Sequence, residues 1–437
     1  MTIFQGRGAL VCAAFGLSLI SSTASAASLS FDQALSLAVE QDRWLTRSEL
    51  NQSALNARAI SAEQLPDPTF RIGLANLATD SFDISQENMT QLQFGISQQF
   101  PRGNTLALQR QTLEQRAELE PLSRELRRAQ LRLEVGTYWL NGWRAQAKVA
   151  LIERQRNLFA QLSRVATARY RSGRSERHEV LQVEIAQQRL RERIARFEQL
   201  RDQQRGMLYR WLPAASAAAP LTGKLVELPR FDSTESEAQE RLLRHPSVLL
   251  NQGAVEIAGT AKSLVRQQYK PRWGLSGQYA YRADGAAQRA DLASVAVTFS
   301  VPLRPALSRD PLLRAATLEL EAQRERRALT VRELSGRWHA AQASLAQLSE
   351  RLKQYDNVLI PKAHERRRAA HQAFASDTAD YTQVIEATSD ELALKLTRID
   401  VAVDYQQQLL TLQYLLSPAG EQVSSQTRDS ALEVARG

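Results

Sequence analysis

The residues able to do chemistry in this chain are few and scattered. Its one cysteine, Cys12, lies in an apolar stretch running from Ala9 to Ile20 near the N-terminus. Beyond that stretch there is no thiol for a disulfide, a thiolate metal site or a cysteine nucleophile. His178 stands next to Glu179, but a metal relay wants clusters of His, Met or Cys. The five histidines are dispersed, and Met89 and Met207 are the only methionines after Met1. There is no Gly-rich phosphate loop, no Ser/His/Asp arrangement and no H-E-x-x-H run. The sequence therefore carries no expectation of catalysis, cofactor or dedicated metal site.

The elements around these residues say more. Arg7, the apolar stretch and Ala24-Ser25-Ala26 follow the order of a secretory signal peptide, expected over residues 1–26. No later segment is an apolar run long enough for a membrane-crossing helix, so a membrane role would have to use a β-barrel. The net charge of +9 could suggest nucleic acid. Charges of both signs are interspersed, however, with Glu120 four residues before Arg124 and Glu321 three before Arg324. That is the pattern of solvated helix faces, and export argues further against nucleic acid.

After the leader the chain contains itself twice, at an offset of 200–204 residues. Gln64-Leu65-Pro66-Asp67-Pro68 corresponds to Gln268-Tyr269-Lys270-Pro271, and Gln99-Phe100-Pro101 to Ser300-Val301-Pro302. Ala168-Arg169-Tyr170-Arg171-Ser172-Gly173 corresponds to His371-Gln372-Ala373-Phe374-Ala375-Ser376, and Tyr209-Arg210-Trp211-Leu212 to Gln413-Tyr414-Leu415-Leu416. The first repeat is expected over 27–212 and the second over 232–416. An Ala/Pro/Ser-rich linker, 213–231, joins them, and a polar tail follows over 417–437.

Each copy reads in the same order: a helical segment (44–64; 246–268), two alternating segments, then a long helical hairpin (102–212; 309–416). The alternating segments are 68–78, 90–100, 272–283 and 294–301. Phe70, Ile72 and Leu74 share one face of the first. Leu92, Phe94 and Ile96 do so in the second, Trp273, Leu275, Tyr279 and Tyr281 in the third, and Val295, Val297, Phe299 and Val301 in the fourth. Period two predicts strands. Their length and two-faced polarity suit a membrane barrel, and taken alone they suit a soluble sheet equally. The stretches 102–170 and 309–374 have high helix propensity and would each reach roughly 100 Å, with kinks expected at Pro121 and Pro361. Ladders of Leu and Val among Arg, Glu and Gln point to coiled-coil packing. Four strands cannot close a barrel, because the smallest have about eight; two chains would supply eight and three would supply twelve.

In this order of pieces, twice over, the sequence resembles the TolC-like outer-membrane factors of tripartite efflux pumps. The resemblance covers about 30–416. It is carried by Leu65-Pro66-Asp67-Pro68, Gly95-Ile96-Ser97-Gln98-Gln99-Phe100-Pro101, Tyr170-Arg171-Ser172-Gly173 and the duplication itself. Pro66-Asp67-Pro68, followed by Gly73-Leu74-Ala75-Asn76-Leu77 and Met89-Thr90, looks like the branch accompanying heavy-metal pumps. The resemblance implies an α+β membrane protein: a homotrimer with one 12-stranded barrel in the outer membrane and a helical periplasmic tunnel. It implies a periplasmic adaptor and an RND-type inner-membrane pump as partners, and a passive conduit that does no chemistry. The rival reading is a periplasmic coiled-coil adaptor, whose β segments would form soluble domains around a single hairpin.

The resemblance also assigns sites. The hairpin turns, Ser172-Gly173-Arg174 and Ser376-Asp377-Thr378, would contact the adaptor. Asp377 stands where the family has Gly, and Asp tolerates left-handed geometry better than most residues. The periplasmic aperture falls on Glu179, Gln383 and Glu386, with Gln383 replacing an acidic residue of the best-known pattern. Tyr170 and Phe374 occupy the aromatic positions before the turns, where packing at the hairpin end is the simpler role. Ala379 stands where one such pattern carries Arg.

Overall fold

In the computed structural model the described residues are 28–419, less 175, 232, 286, 287, 377 and 379. The expected signal peptide, Asp377, Ala379 and nearly all of the tail lie outside them.

Two short helices open each copy. They are α1 (Phe31–Glu40) and α2 (Arg43–Ala62) in the first, matched by α6 (Glu235–Leu243) and α7 (Pro246–Gln267) in the second. The sequence reading had only α2 and α7. Reciprocal capping boxes start the two it missed: Ser30 with Gln33 before α1, and Thr234 with Glu237 before α6. Such a box satisfies two otherwise orphaned backbone donors at once. The next caps diverge. Asp42 accepts from Trp44 N at 3.1 Å and pairs with Arg127 at 2.7 Å. At the matching place His245 Nδ1 accepts from Ser247 N at 3.2 Å, within a fully buried ring.

Strands β1 (Thr69–Ala75) and β2 (Gln91–Phe100) follow in the first copy; β3 (Arg272–Tyr281) and β4 (Leu292–Ser300) follow in the second. They form one antiparallel sheet in the order β1-β2-β3-β4, so the two copies are joined across β2 and β3. β1 gives way after Ala75 because Asn76 takes a positive φ of 56°.

Long helices fill the rest: α3 (Thr105–Arg171) and α4 (Arg177–Leu208), then the short α5 (Ala214–Ala218) between the copies. After β4 come the single turn α8 (Pro305–Ser308), α9 (Asp310–Gln354), α10 (Ile360–Ala375) and α11 (Tyr381–Leu415). The 67 residues of α3 span about 100 Å. The two prolines act differently. Helix α3 runs unbroken through Pro121, whereas a π-turn, Tyr355–Leu359, separates α9 from α10 just before Pro361. Pro361 has no N–H to give the preceding turn, and a widened turn absorbs that mismatch. The expected Glu120–Arg124 pair does not form. Glu120 instead accepts from Ser48 at 2.6 Å and from Asn51, and Arg124 donates to Gln52 at 2.9 Å, so both side chains hold α2 against α3. Glu321 and Arg324 do pair, at 2.8 Å.

The principal core lies where α1, α3, α11 and the inter-repeat segment meet. Trp139 is fully buried, takes an edge-on contact from Phe31 at 5.5 Å and donates to Leu29 O at 3.2 Å. Gly136 permits this closeness, since a Cβ there would meet Leu410 Cδ2 at 2.7 Å and the Phe31 ring at 3.1 Å. The segment 213–231 is part of that core. Ala217 and Leu221 are buried, and Leu29 forms a parallel bridge with Leu221.

The buried His245 has a measurable consequence. Burial, with a smaller contribution from Arg337, lowers its pKa from 6.5 to about 4, against the opposing effect of a hydrogen bond to the Tyr414 backbone. The folded chain therefore keeps the ring neutral where the unfolded chain binds a proton. Stability is full above pH 6.5 and falls as the pH drops, by about 3 kcal/mol at pH 4. His371, lowered by burial and by Arg367, adds in the same direction. His245→Asn keeps a capping acceptor without titrating, so it should flatten the fall in thermal midpoint between pH 6.5 and 4. A slope equal to that of the parent would remove His245 as its cause.

Candidate functional site

Two regions attract attention, the sheet and the hairpin tips. The sheet register brings the apolar residues of all four strands onto one surface. Phe70, Ile72 and Leu74 stand opposite Ile96, Phe94 and Leu92. Leu92 and Phe94 stand opposite Tyr281 and Tyr279, and Phe100 opposite Trp273. Trp273, Leu275 and Gly277 stand opposite Phe299, Val297 and Val295. This surface is bare within the chain: Ile72 is 74 % exposed and Val295 79 %. Burying one such side chain is worth about 1.5–3 kcal/mol, so a surface of this kind calls for an apolar medium or partner. The opposite face is made mainly of Gln, Ser, Thr, Gly and Ala, with Leu292 at its loop end, and the only charged residues in the four strands, Arg71 and Arg272, belong to it. β1 and β4 each have a single strand neighbour, so two edges stay open.

The ends of the sheet are fastened differently. At the helix end Phe100 stacks on Trp273 with centroids 4.0 Å apart, and Gln268 joins the copies. Arg102 donates to its carbonyl at 2.9 Å and Arg309 to its side-chain oxygen at 3.1 Å. At the loop end Arg289 reaches the carbonyls of Ser85 and Glu87 at 3.2 and 3.3 Å, clipping one hairpin loop to the other.

At the tips, α3 ends in a Schellman motif. Gly173, at φ +69°, donates to Tyr170 O at 3.0 Å, and Arg174 donates to Arg169 O at 2.9 Å. Ser172, Gly173 and Arg174 are all exposed. In the second copy Thr378 N donates to Ala373 O at 2.9 Å, the same six-to-one closure, and the exposed Ser376 and Thr378 hydroxyls add bonds to that carbonyl. Asp377, which this closure spans, is outside the described residues.

The aromatic pair before the turns is unequal. Phe374 packs against Tyr381 at 4.9 Å and lies under the Arg169 guanidinium at 4.7 Å. Tyr170 is exposed, so the expected packing role holds at Phe374 and fails at Tyr170. Tyr381 was not singled out in the sequence. It is buried, donates to Leu162 O and lies in the field of Glu179. Burial raises its pKa and the Glu179 charge raises it further, so the phenol stays protonated.

The three aperture candidates do not share one environment. Gln383 and Glu386 are exposed, three residues apart on α11. Glu179 is half-buried, and its Oε2 is shielded from solvent without a hydrogen-bond partner among the described residues. The two tip strands of helix meet directly where Thr382 donates to Gln182 at 2.9 Å. Higher along α11, Glu391 is 4 % exposed. Burial opposes its charge, but Lys395 at 2.7 Å, Arg367 and His364 outweigh that and hold its pKa below the ordinary value. Among the described residues, the His178 ring bonds to Glu176, at 3.1 Å. Among the described residues no three His, Cys, Asp or Glu side chains are grouped to hold a metal, and no helix is long and apolar enough to cross a membrane.

No protein-family model and no curated protein matches this sequence. Solved structures do match by fold. The CmeC outer membrane channel of Campylobacter jejuni superposes with a TM-score of 0.75 at 10% identity, over 91% of this chain and 88% of that one. CusC, described as forming a transmembrane channel, gives 0.70 at 14%, over 89% and 92%. The MtrE outer membrane channel of Neisseria gonorrhoeae, in its open state, gives 0.68 at 14%, over 95% and 97%.

The Schellman closure at Gly173 yields a local test. Nothing lies within 4 Å of a Cβ built there, so a side chain would clash with nothing and only the backbone conformation would be strained. Gly173→Ala should cost about 1–2 kcal/mol locally and speed hydrogen exchange at Arg174, with Gly173→Asn milder. Unchanged exchange in both variants would show that the turn does not hold this geometry.

Proposed function

From a chain with the fold of the TolC-like outer-membrane channels, we propose that this protein is the outer-membrane subunit of a tripartite efflux system. It acts as a homotrimer, and three four-stranded sheets close into one 12-stranded barrel. The observation that carries this reading is the sheet itself: one exposed face apolar except for Gln98 at its helix end, one mainly polar face and two open edges. In lipid an open edge leaves backbone donors and acceptors unsatisfied, so strands at membrane depth must close on one another. Eight strands enclose an interior filled by side chains, whereas a wider barrel holds water. The apolar face then meets hydrocarbon, the aromatic residues near the strand ends sit at its borders, and the polar face lines the pore.

The long hairpins form the periplasmic tunnel, with their turns toward the inner membrane. A periplasmic adaptor engages Ser172, Gly173, Arg174, Ser376, Asp377 and Thr378, and an RND-type pump supplies energy through it. Gln383 and Glu386, exposed on α11, face the aperture. Glu179 belongs to the same end but turns partly inward toward Tyr381, so Glu386 carries more of the ring charge. The chain moves cargo passively and performs no reaction. Assignment to heavy-metal export rests on the sequence resemblance around residues 66–90 and on the likeness to CusC.

Protein purified in detergent should scatter light as a trimer and show mixed helix and sheet by circular dichroism; a stable monomer soluble without detergent would overturn the proposal. Cysteine placed at Gly173 or Asp377 should crosslink to the adaptor in the periplasm, and labelling of either from outside intact cells would reverse the orientation. Glu386→Gln in an assembled trimer should weaken block by divalent cations in planar bilayers, with stability changed by less than about 0.5 kcal/mol. Unchanged block would remove Glu386 from the aperture.

A further inference from the structure

The strands carry charge of one sign only. Among the residues of β1 to β4 there is no Asp or Glu, and the two charged residues, Arg71 and Arg272, share the polar face. Arg71 stands opposite Gly95, which stands opposite Gln278. Arg272 is six residues away from that level along β3, about 20 Å at the rise of a strand. The register thus places two separate cationic levels on one surface, and both arginines are exposed. Their surroundings are small. Gly95 carries no side chain opposite Arg71, Gly73 has nothing within 4 Å of its Cβ position, and Gly274 stands two residues from Arg272 on the same face. No carboxylate ion-pairs with either guanidinium among the described residues, in contrast to Arg110, Arg127, Arg144 and Arg367 on the helices.

We propose that Arg71 and Arg272 form two stacked arginine rings inside the barrel that make it an anion-attracting passage, and that the cargo crossing the outer membrane here is anionic or carries exposed anionic groups. This rests on the trimeric-barrel reading above, in which each residue is repeated three times around the low-dielectric wall of the pore. Such a wall focuses the field of like charges and raises the local concentration of counter-ions. A bare divalent cation would have to pass both rings, so the barrel favours an anionic complex or an organic anion over a free metal cation. Acidic residues, Asp80, Asp83, Glu87, Asp284 and Asp291, lie in the loops beyond the strands beside Arg282 and Arg289, and none lies within a strand.

The test uses a reporter between the two levels. Ser276 lies on the polar face, two residues from Gln278 and four from Arg272, and stands opposite Ser97. Ser276→Cys in the full chain is labelled on intact cells with an anionic and a cationic methanethiosulfonate of similar size, and the ratio of the two rates is compared with that of the reagents on a free thiol. The anionic reagent should be favoured. Adding Arg71→Gln and Arg272→Gln should lower the ratio about tenfold, whereas Lys at both positions should retain most of it. Raising salt from 0.1 to 1 M shortens the screening length from about 10 to 3 Å and should compress the ratio without any change at the arginines. A reporter that reacts with both reagents at a ratio indifferent to Gln substitution, or to salt, overturns the proposal. Val295→Cys on the apolar face separates the two readings. If it is labelled by both polar reagents while Ser276→Cys is not, the barrel reading has failed and the arginine rings fail with it.

Discussion

The constraint on which the rest depends is the open, two-faced sheet. A strand edge in water can bond to solvent, but in hydrocarbon it has no partner, and an exposed apolar face has the opposite preference. The four strands here combine both demands. Their apolar face is too extensive to leave in water, and their edges cannot be left in lipid. The proposed closure with two other copies of the chain would answer both at once.

The helices answer a different problem. A helix of 67 residues cannot be held by one small core, so it is tied along its length. Near its start α2 clips it through Ser48, Asn51 and Gln52; midway Lys148 reaches Asp400 on α11 at 2.6 Å. Toward the tip, Leu162 carries the bond from Tyr381. The Lys148 contact joins first repeat to second, as do the β2–β3 ladder and Gln268. The duplication therefore does not produce two independent domains. It produces two halves with polar contacts that cross between them, and the 213–231 segment is built into the shared core.

Duplication also left room for divergence at matched places. The cap before the second helix is an ion-paired Asp42 in one half and a buried neutral His245 in the other. The tip aromatic is exposed in one half and packed in the other. Symmetry of fold survives because backbone caps and turn closures are retained, while side chains filling the same positions meet different neighbours.

The sequence by itself determined the strands, the long helices, the repeat and the turn at Gly173, because these follow from local pattern: period two, helix propensity, a recurrent order and a residue free to take positive φ. It also indicated the polar and apolar faces of each strand separately. It did not reveal α1 and α6, which are short and depend on capping boxes, nor the partners of Glu120, which left its i+4 arginine for α2. Only the tertiary structure decided that the four apolar faces coincide, that Arg71 and Arg272 lie on the same polar surface, and that Glu179 turns toward Tyr381 while Glu386 faces solvent. Those facts depend on strand register and on contacts between residues some 200 positions apart, and no local pattern encodes which of two distant segments a side chain will meet.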